Sequence, residues 1–252
     1  MSKTKKKVLI ALISVLAVIV LLLPAFFIYA GVYYHTDKEA VGAYLSSKQS
    51  VTETEIEGGY LAYSNGENKA GIVFYPGGKV EYTAYSPLMC ALAEKGFYCV
   101  LVKMPFNLAF LKPNAADKVL GANGVERWYI AGHSLGGAFA SQYAAKHADK
   151  LDGVILLASF STNDLTNKNL KVLSIYGSED RVLNLDSYDK NKPNLPSDLQ
   201  EFVIDGGCHS GFGMYGAQKG DGTPTISAVE QIELTADYIA DFADSADFAD
   251  FV

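Results

Sequence analysis

A glycine-rich turn around Ser134 constrains the fold of this chain more than any other feature. The turn reads Gly-His-Ser-Leu-Gly-Gly over residues 132–137. An apolar run, residues 128–131, precedes it, and an alanine-rich segment, residues 136–147, follows it. This order predicts a buried strand, a sharp turn with the serine at its apex, and a helix. Glycines are expected beside the serine because side chains there would collide with neighbouring backbone. A turn with a capping serine and no chemistry is the alternative interpretation.

Short apolar runs and longer alanine- and leucine-rich segments alternate through the rest of the chain. Several short runs are apolar throughout, which is typical of parallel strands covered on both faces. Strands that alternate with helices in this way predict one doubly wound α/β domain. The predicted strands are residues 60–63, 71–75, 98–103, 128–131, 153–158, 172–176 and 201–204, and the predicted helices are residues 84–95, 115–120, 136–147 and 226–242.

An uncharged apolar run of 23 residues, 8–30, stands near the start of the sequence. At about 1.5 Å per helical residue it can cross a hydrocarbon core of roughly 30 Å. Lysines precede the run and aromatic residues follow it, which predicts a single-pass anchor in the cell membrane with a cytoplasmic N-terminus. A cleaved signal peptide and a buried soluble helix are the alternatives. The run is longer than the apolar core of a signal peptide, and Ile28 fits poorly at the third position before the best cleavage site.

Charge and cysteine content limit the classes of partner. Residues 1–30 carry four lysines and no acid, so the rest of the chain, with 17 basic and 28 acidic residues, has a net charge of −11. An acidic domain of this kind is not expected to bind nucleic acid. Three cysteines are too few for a disulfide scaffold.

Composition shifts divide the chain into five segments. The apolar run separates a short basic end from the domain that contains Ser134, and the last residues repeat an Ala-Asp-Phe-Ala-Asp pattern. We expect these last residues to be the frayed end of a helix and a disordered acidic tail. The segments are residues 1–7, a cytoplasmic basic N-terminus; 8–30, the transmembrane anchor; 31–50, a juxtamembrane stretch in which residues 37–46 can form a short helix; 51–242, the α/β domain; and 243–252, the acidic tail.

The turn at Ser134 resembles the nucleophile elbow of the α/β-hydrolase family, which commonly reads Gly-His-Ser-x-Gly-Gly. The resemblance implies a mostly parallel doubly wound sheet and a triad in the order Ser, Asp, His. Asp180 matches the family's position for the acid in a Gly-x-x-Asp-x-Val turn, with the adjacent Glu179 as the alternative. Among four histidines, His209 is the one in the expected place after the last predicted strand.

The resemblance also implies roles for these residues and for two backbone amides. Ser134 would be the nucleophile, His209 would accept its proton, and Asp180 would orient the imidazole. The amide of Leu135, at the start of the helix, is expected to donate to the oxyanion. The second donor should lie in the loop after the third strand, where we expect Gly78 or, as the alternative, Lys79.

Two further stretches resemble a small subgroup, α/β-hydrolase fold-5, which is related to dienelactone hydrolases. They are residues 75–88 and residues 212–222. Dienelactone hydrolases use a cysteine nucleophile, whereas Ser134 stands in the elbow here, so lactone chemistry is not carried over. Families of this fold place a cap between the sixth and seventh strands, and the corresponding residues 159–170 are too few for a large one.

These features predict a membrane-anchored serine hydrolase, carboxylesterase-like, with its catalytic domain outside the cytoplasm. The expected reaction cleaves a carboxylic ester or thioester through an acyl-enzyme, on a small-molecule substrate or on lipid or envelope acyl groups. No cofactor is expected, and the sequence has no His-Glu-x-x-His or Cys-x-x-Cys metal motif. An acyltransferase with the same triad and a non-catalytic surface binding protein are the alternative functions.

Overall fold

The computed structural model of the chain describes residues 2–248, with the backbone alone for Val8 and residues 246–248. The chain divides into two compact units, and the second begins at Tyr34. The first unit is helix α1, Lys3–Gly31, whose N-cap is Ser2. Within the described residues, α1 is the one helix long and apolar enough to cross a membrane.

The second unit is built on one eight-stranded sheet. Its strands lie in the order β1-β2-β4-β3-β5-β6-β7-β8, in which β1, β2 and β4 pair antiparallel and β3 to β8 pair parallel. The strands are β1 (Thr52–Ile56), β2 (Tyr60–Ser64), β3 (Ala70–Tyr75), β4 (Phe97–Leu101), β5 (Trp128–His133), β6 (Gly153–Leu157), β7 (Lys171–Gly177) and β8 (Gln200–Ile204). The other α-helices are α2 (Lys38–Ser47), α3 (Ser86–Glu94), α4 (Leu135–Lys146), α5 (Leu185–Asn191) and α6 (Ala228–Phe248).

The central strands are buried on both faces of the sheet. Every residue of β3, β4, β5 and β6 is buried. Along β3, Ile72 faces a core shared with α3 and α6, and Val73 faces a second core shared with α4. Side chains alternate across a strand, so a strand covered by helices on both sides must be apolar throughout. The mostly parallel, doubly wound α/β fold predicted from the sequence is therefore confirmed.

The structure differs from the predicted elements in three places. Two elements were not predicted because they are polar or short, and one predicted helix is too short to form. Strand β1 was not predicted, because it is a polar edge strand with four exposed residues. Helix α5 was not predicted either, since it is short and polar. In place of the helix predicted over residues 115–120, the structure has a 3₁₀ turn, Ala115–Lys118. Gly121, at φ +84°, ends that segment before it reaches the length at which a helix is stable.

The boundaries of the second unit are wider than residues 51–242. Helix α2 falls in the predicted juxtamembrane stretch, yet its Val41 and Tyr44 are buried in the core. At the other end, α6 continues to Phe248, so residues 243–248 of the predicted acidic tail are helical. The last four residues, 249–252, lie outside the described residues.

The connection between β6 and β7, residues 158–170, contains no helix or strand. The structure therefore has no large cap at this position, as predicted. The three cysteines, Cys90, Cys99 and Cys208, are free thiols and are buried.

Candidate active site

The turn after β5 places Ser134 at the carboxyl edge of the sheet, directly before α4. Ser134 has φ 52° and ψ −123°, a conformation that costs a non-glycine residue about 1–3 kcal/mol. A Cβ on Gly132 would lie 2.6 Å from the carbonyl carbon of Gly136. A Cβ on Gly136 would lie 2.1 Å from the carbonyl oxygen of Tyr75. Both glycines are therefore required by close backbone contacts, as the sequence predicted.

Hydrogen bonds from the end of β6 hold the backbone of Ser134 in this conformation. The Ser134 amide donates to the carbonyl of Leu157 at 2.9 Å. The hydroxyl of Ser159 donates to the carbonyl of Ser134 at 2.8 Å. The Ser134 residue itself is partly exposed, so a substrate can reach it. Sequence reasoning gave Ser159 no role, because only the folded sheet brings it beside the turn.

Asp180 and His209 form a buried pair at the ends of β7 and β8. The Asp180 carboxylate oxygen Oδ2 lies 2.8 Å from Nδ1 of His209, and the side chains are 1% and 2% exposed. The other oxygen, Oδ1, accepts the amides of Val182 and Leu183, both at 2.8 Å. A carboxylate can only accept in this position, so Nδ1 of His209 carries the proton and donates to Oδ2, and Nε2 is left as the acceptor. Nε2 of His209 has no hydrogen-bond partner among the described residues.

The neighbouring acid, Glu179, faces away from this pair. Its carboxylate contacts the guanidinium of Arg181 at 3.3 Å near the surface. Of the two acids proposed from the sequence, the structure thus brings Asp180, and not Glu179, to His209.

A second carboxylate, Asp221, holds the loop that carries His209. It accepts the His209 amide at 3.2 Å, the Ser210 amide at 2.8 Å and the Ser210 hydroxyl at 2.9 Å. The Arg181 amide, next to Asp180, also donates to it at 3.4 Å. Burial alone would raise the pKa of Asp221, but these hydrogen bonds outweigh burial and hold that pKa below its ordinary value. Asp221 therefore links the loops of the acid and the histidine.

The same loop is held from the other side by Gln231 of α6. The Cys208 amide donates to Oε1 of Gln231 at 2.9 Å, and Nε2 of Gln231 donates to the Cys208 carbonyl at 2.8 Å. No role for Gln231 or Asp221 was predicted from the sequence. The Gly-Asp-Gly sequence around Asp221 was the one available signal, and it carries no role without the fold.

His133, beside the serine, lies against the imidazole of His209. The two ring centroids are 4.5 Å apart. The hydroxyl of Tyr85 lies 2.8 Å from Nδ1 of His133 and accepts the amide of Gly77 at 3.2 Å. Burial holds the pKa of His133 well below its ordinary value, and the neighbouring imidazole of His209 lowers that pKa further. His133 is therefore neutral, and Tyr85 connects it to the loop after β3.

The loop after β3 contacts the first residue of α4. A Cβ on Gly78 would lie 2.7 Å from Cδ2 of Leu135, so the two predicted oxyanion donors are neighbours. The Lys79 amide donates to the carbonyl of Asn107 at 2.8 Å. Among the hydrogen bonds of the described residues, none uses the amide of Gly78 or Leu135. Of Gly78 and Lys79, Gly78 is the residue whose amide remains available for a ligand.

Among the side chains that the structure describes, no group of three or more His, Cys, Asp or Glu is arranged to hold a metal ion.

The sequence model of the alpha/beta hydrolase family matches residues 71–233, which is more than half of the chain. This chain belongs to that family. The resemblance drawn from the elbow motif is confirmed, and family membership supports a hydrolase. No curated protein matches the sequence.

Three solved structures that share this fold come from distantly related proteins. A CIB-like hydrolase of Thermoplasma acidophilum has 17% identity and a TM-score of 0.54, covering 76% of this chain and 98% of its own. A bacterial membrane phospholipase A, described as a virulence factor, has 14% identity and a TM-score of 0.59, covering 96% of this chain and 99% of its own. A Thermus thermophilus protein has 16% identity and a TM-score of 0.56, covering 78% and 97%. At these identities the similarity concerns the fold alone.

Proposed function

We propose that this α/β hydrolase is a serine hydrolase that cleaves a carboxylic ester or thioester. The observation that carries the proposal is the buried hydrogen bond between Asp180 and Nδ1 of His209, 2.8 Å long, at the sheet edge that holds Ser134. On that edge Ser134 is partly exposed at the apex of a strained turn. The buried acid–imidazole pair would supply the base that its weakly acidic hydroxyl needs.

The proposed reaction proceeds through an acyl-enzyme. Oγ of Ser134 attacks the carbonyl carbon while Nε2 of His209 takes the hydroxyl proton. The tetrahedral oxyanion receives hydrogen bonds from the amides of Leu135 and Gly78. His209 then gives its proton to the departing alcohol or thiol. A water molecule, deprotonated by His209, attacks the acyl-enzyme. The bond from the acyl carbon to Oγ of Ser134 then breaks, Oγ takes the proton back from His209, and the carboxylic acid product is released.

We further propose that α1 anchors the enzyme in a membrane, with its N-terminus in the cytoplasm and the catalytic unit outside. Helix α1 has 29 residues, about 44 Å at 1.5 Å per residue, and its uncharged part can cross the hydrocarbon core. Lys3, Lys5, Lys6 and Lys7 precede that part, as in segments whose basic end stays in the cytoplasm.

Labelling with a fluorescent fluorophosphonate tests the serine hydrolase. Membranes from expressing cells should show a band near 27.2 kDa for the wild type and none for Ser134→Ala or His209→Ala. Asp180→Asn should lower the labelling rate by about 10⁴-fold, because the imidazole loses its orienting acid. Glu179→Gln, the matched exchange one residue away, should label at the wild-type rate. Undiminished labelling of folded Ser134→Ala would refute the proposed nucleophile.

The anchor and its direction need a separate measurement. After alkaline carbonate extraction the labelled band should stay in the membrane pellet. External protease should digest the catalytic unit of intact spheroplasts and leave a small, membrane-bound N-terminal fragment. A band that moves to the carbonate supernatant would contradict the anchor, and a catalytic unit protected in intact spheroplasts would contradict the proposed direction.

A further inference from the structure

The loop that follows β4, residues 105–112, presents an apolar patch to solvent. The patch consists of Phe106, Phe110 and Leu111, which are 48%, 44% and 41% exposed. Six large hydrophobic side chains are exposed among the described residues from 34 onward, and half of them lie in this loop. Soluble domains seldom group such side chains unless the patch binds something.

The charge around the apolar patch differs from that of the rest of the unit. Residues 97–116 contain two lysines, Lys103 and Lys112, and no acid. The chain beyond residue 30 has 17 basic and 28 acidic residues, so this stretch is positively charged within a unit whose net charge is negative. Apolar side chains flanked by lysines are typical of segments that lie on anionic lipid surfaces.

The apolar patch borders the proposed oxyanion site on two sides. The carbonyl of Asn107 accepts the amide of Lys79, the residue after Gly78, at 2.8 Å. The ring of Phe110 lies 6.4 Å, between centroids, from that of Phe139, one turn after Leu135 in α4. Phe106 and Asn107 both have positive φ, 53° and 56°, so this loop is held in a strained conformation against the catalytic loop.

The chain also enters the catalytic unit at this place. The Tyr34 amide donates to the carbonyl of Lys79 at 2.7 Å, and the Glu81 amide donates to the carbonyl of Tyr34 at 2.9 Å. In the sequence, two residues separate Tyr34 from Gly31, the last residue of α1. Three extended residue steps span at most about 10 Å. Because this covalent connection is short, the loop at Lys79 stays close to any membrane in which α1 is embedded.

We propose that the apolar patch contacts the lipid surface and that Ser134 takes its substrate from that surface, so the substrate class is a lipid-borne acyl ester. This inference rests on the proposed serine hydrolase function. The lysines favour an anionic lipid surface over an apolar protein partner, and the tether supplies that surface. Attack by Ser134 on the lipid ester carbonyl would release the deacylated lipid, which takes the proton from His209. Water would then release the fatty acid.

Assaying one protein preparation with a lipid substrate and with a soluble substrate tests this inference separately from the proposed serine hydrolase function. Full-length protein is placed in vesicles of phosphatidylcholine and phosphatidylglycerol that contain a fluorescent acyl lipid. A water-soluble p-nitrophenyl butyrate is assayed in parallel. The patch variant Phe110→Glu/Leu111→Glu should hydrolyse the acyl lipid at least about tenfold more slowly, because two carboxylates oppose contact with the anionic surface. It should hydrolyse the soluble ester at the wild-type rate.

The matched control is Leu185→Glu/Val203→Glu, two similarly exposed hydrophobic residues outside the patch, 45% and 47% exposed. This variant should keep both activities. Wild-type protein that hydrolyses the soluble ester but not the acyl lipid would overturn the inference and leave the proposed function intact. Wild-type protein that hydrolyses neither and is not labelled by fluorophosphonate would overturn the proposed function itself.

Contact with lipid has a direct readout as well. Trp128, the single tryptophan of the chain, is buried, so a Phe110→Trp variant reports on the patch. Vesicles that contain brominated lipid should quench the added tryptophan and leave wild-type fluorescence unchanged. Equal fluorescence with and without bromine would show that the patch does not touch lipid, and would assign it to a protein partner instead.

Discussion

At the scale of single residues, the position of His209 depends on hydrogen bonds to its backbone as well as to its ring. Asp180 binds the imidazole, while Asp221 binds the amide of His209 and that of the next residue. These two carboxylates come from loops after different elements, and Asp221 also accepts the Arg181 amide. The imidazole can therefore be displaced by changes that leave its own side chain and its acid intact.

Replacing Asp221 tests this dependence. Asp221→Asn keeps one acceptor oxygen and loses the charge, so we expect lower kcat/KM for a soluble ester and a loss of about 1–3 kcal/mol of stability. The pKa of Asp221 is lowered in the folded state. Its stabilising contribution is therefore present above the ordinary aspartate pKa and disappears as pH falls through the lowered value.

The measurement is urea unfolding at neutral and acidic pH, together with ester kinetics. The wild type should lose more stability on acidification than Asp221→Asn, because only the wild type loses this carboxylate. Asp205→Asn, an exchange at an exposed aspartate nearby in the sequence, should match the wild type in both assays. Identical acid sensitivity in wild type and Asp221→Asn would contradict the assigned role.

The buried His133 should give the free energy of unfolding an additional pH dependence, closer to neutral pH. Its pKa is lowered in the folded state, so below about 6.5 the unfolded chain binds a proton that the folded chain does not. Stability should therefore fall with pH from about 6.5 down to the lowered value, by at most about 1.4 kcal/mol per pH unit. His133→Asn, which keeps an acceptor for Tyr85, should show a smaller slope in unfolding titrations. Equal slopes of stability against pH in the wild type and in His133→Asn would contradict the assignment of His133 as a neutral buried side chain.

At the scale of elements, the sequence predicted the parts whose pattern is local. The strand–turn–helix around Ser134 is one continuous segment, and β3 and β6 are apolar because helices cover both faces of the sheet. The polar edge strand β1 and the short helix α5 have no such pattern, so they were missed. The side chains of α2 that pack in the core look unremarkable in the sequence, because packing decides which of them are buried.

The site was predictable to a similar extent. Fixed family positions identified Ser134, Asp180 and His209 before the structure, and their catalytic roles stay predictions. The supporting residues could not be found in this way, because each acts across a long separation in sequence. Tyr85 meets His133 from 48 positions away, and Gln231 meets Cys208 from 23. Only the assembled sheet brings such residues together.

Adding one methyl group to Gly78 tests whether the loop after β3, which contacts α4, supplies an oxyanion donor. Gly78→Ala would place a carbon 2.7 Å from the flexible end of the Leu135 side chain, so the loop must shift while the fold survives. We expect kcat to fall by about 10²-fold as an oxyanion donor is displaced, with little change in Tm. Gly42→Ala, a glycine in α2 with no neighbour within 4 Å of the added carbon, should leave kcat unchanged. Equal kcat in all three proteins would exclude Gly78 as a donor.

At the scale of the whole molecule, the division of the chain at Tyr34 makes a prediction about truncation. A protein that begins at residue 34 keeps every element of the second unit, whereas one that begins at residue 51 loses α2 and uncovers the core beneath Val41 and Tyr44. We expect the first to be folded and to react with fluorophosphonate in solution. The second should unfold at a lower temperature or aggregate. Circular dichroism melts and labelling compare the two, and equal stability would place the boundary at residue 51 after all.

The buried thiols determine how the protein tolerates a change of redox surroundings. Burial raises the pKa of Cys90 to about 12 and that of Cys99 well above its ordinary value. Disulfide exchange and oxidation proceed through the thiolate, which is scarce in such sites. The folded chain should therefore be indifferent to glutathione or oxygen. Because its three cysteines form no disulfide, the folded chain needs no oxidase to complete it in an oxidising compartment.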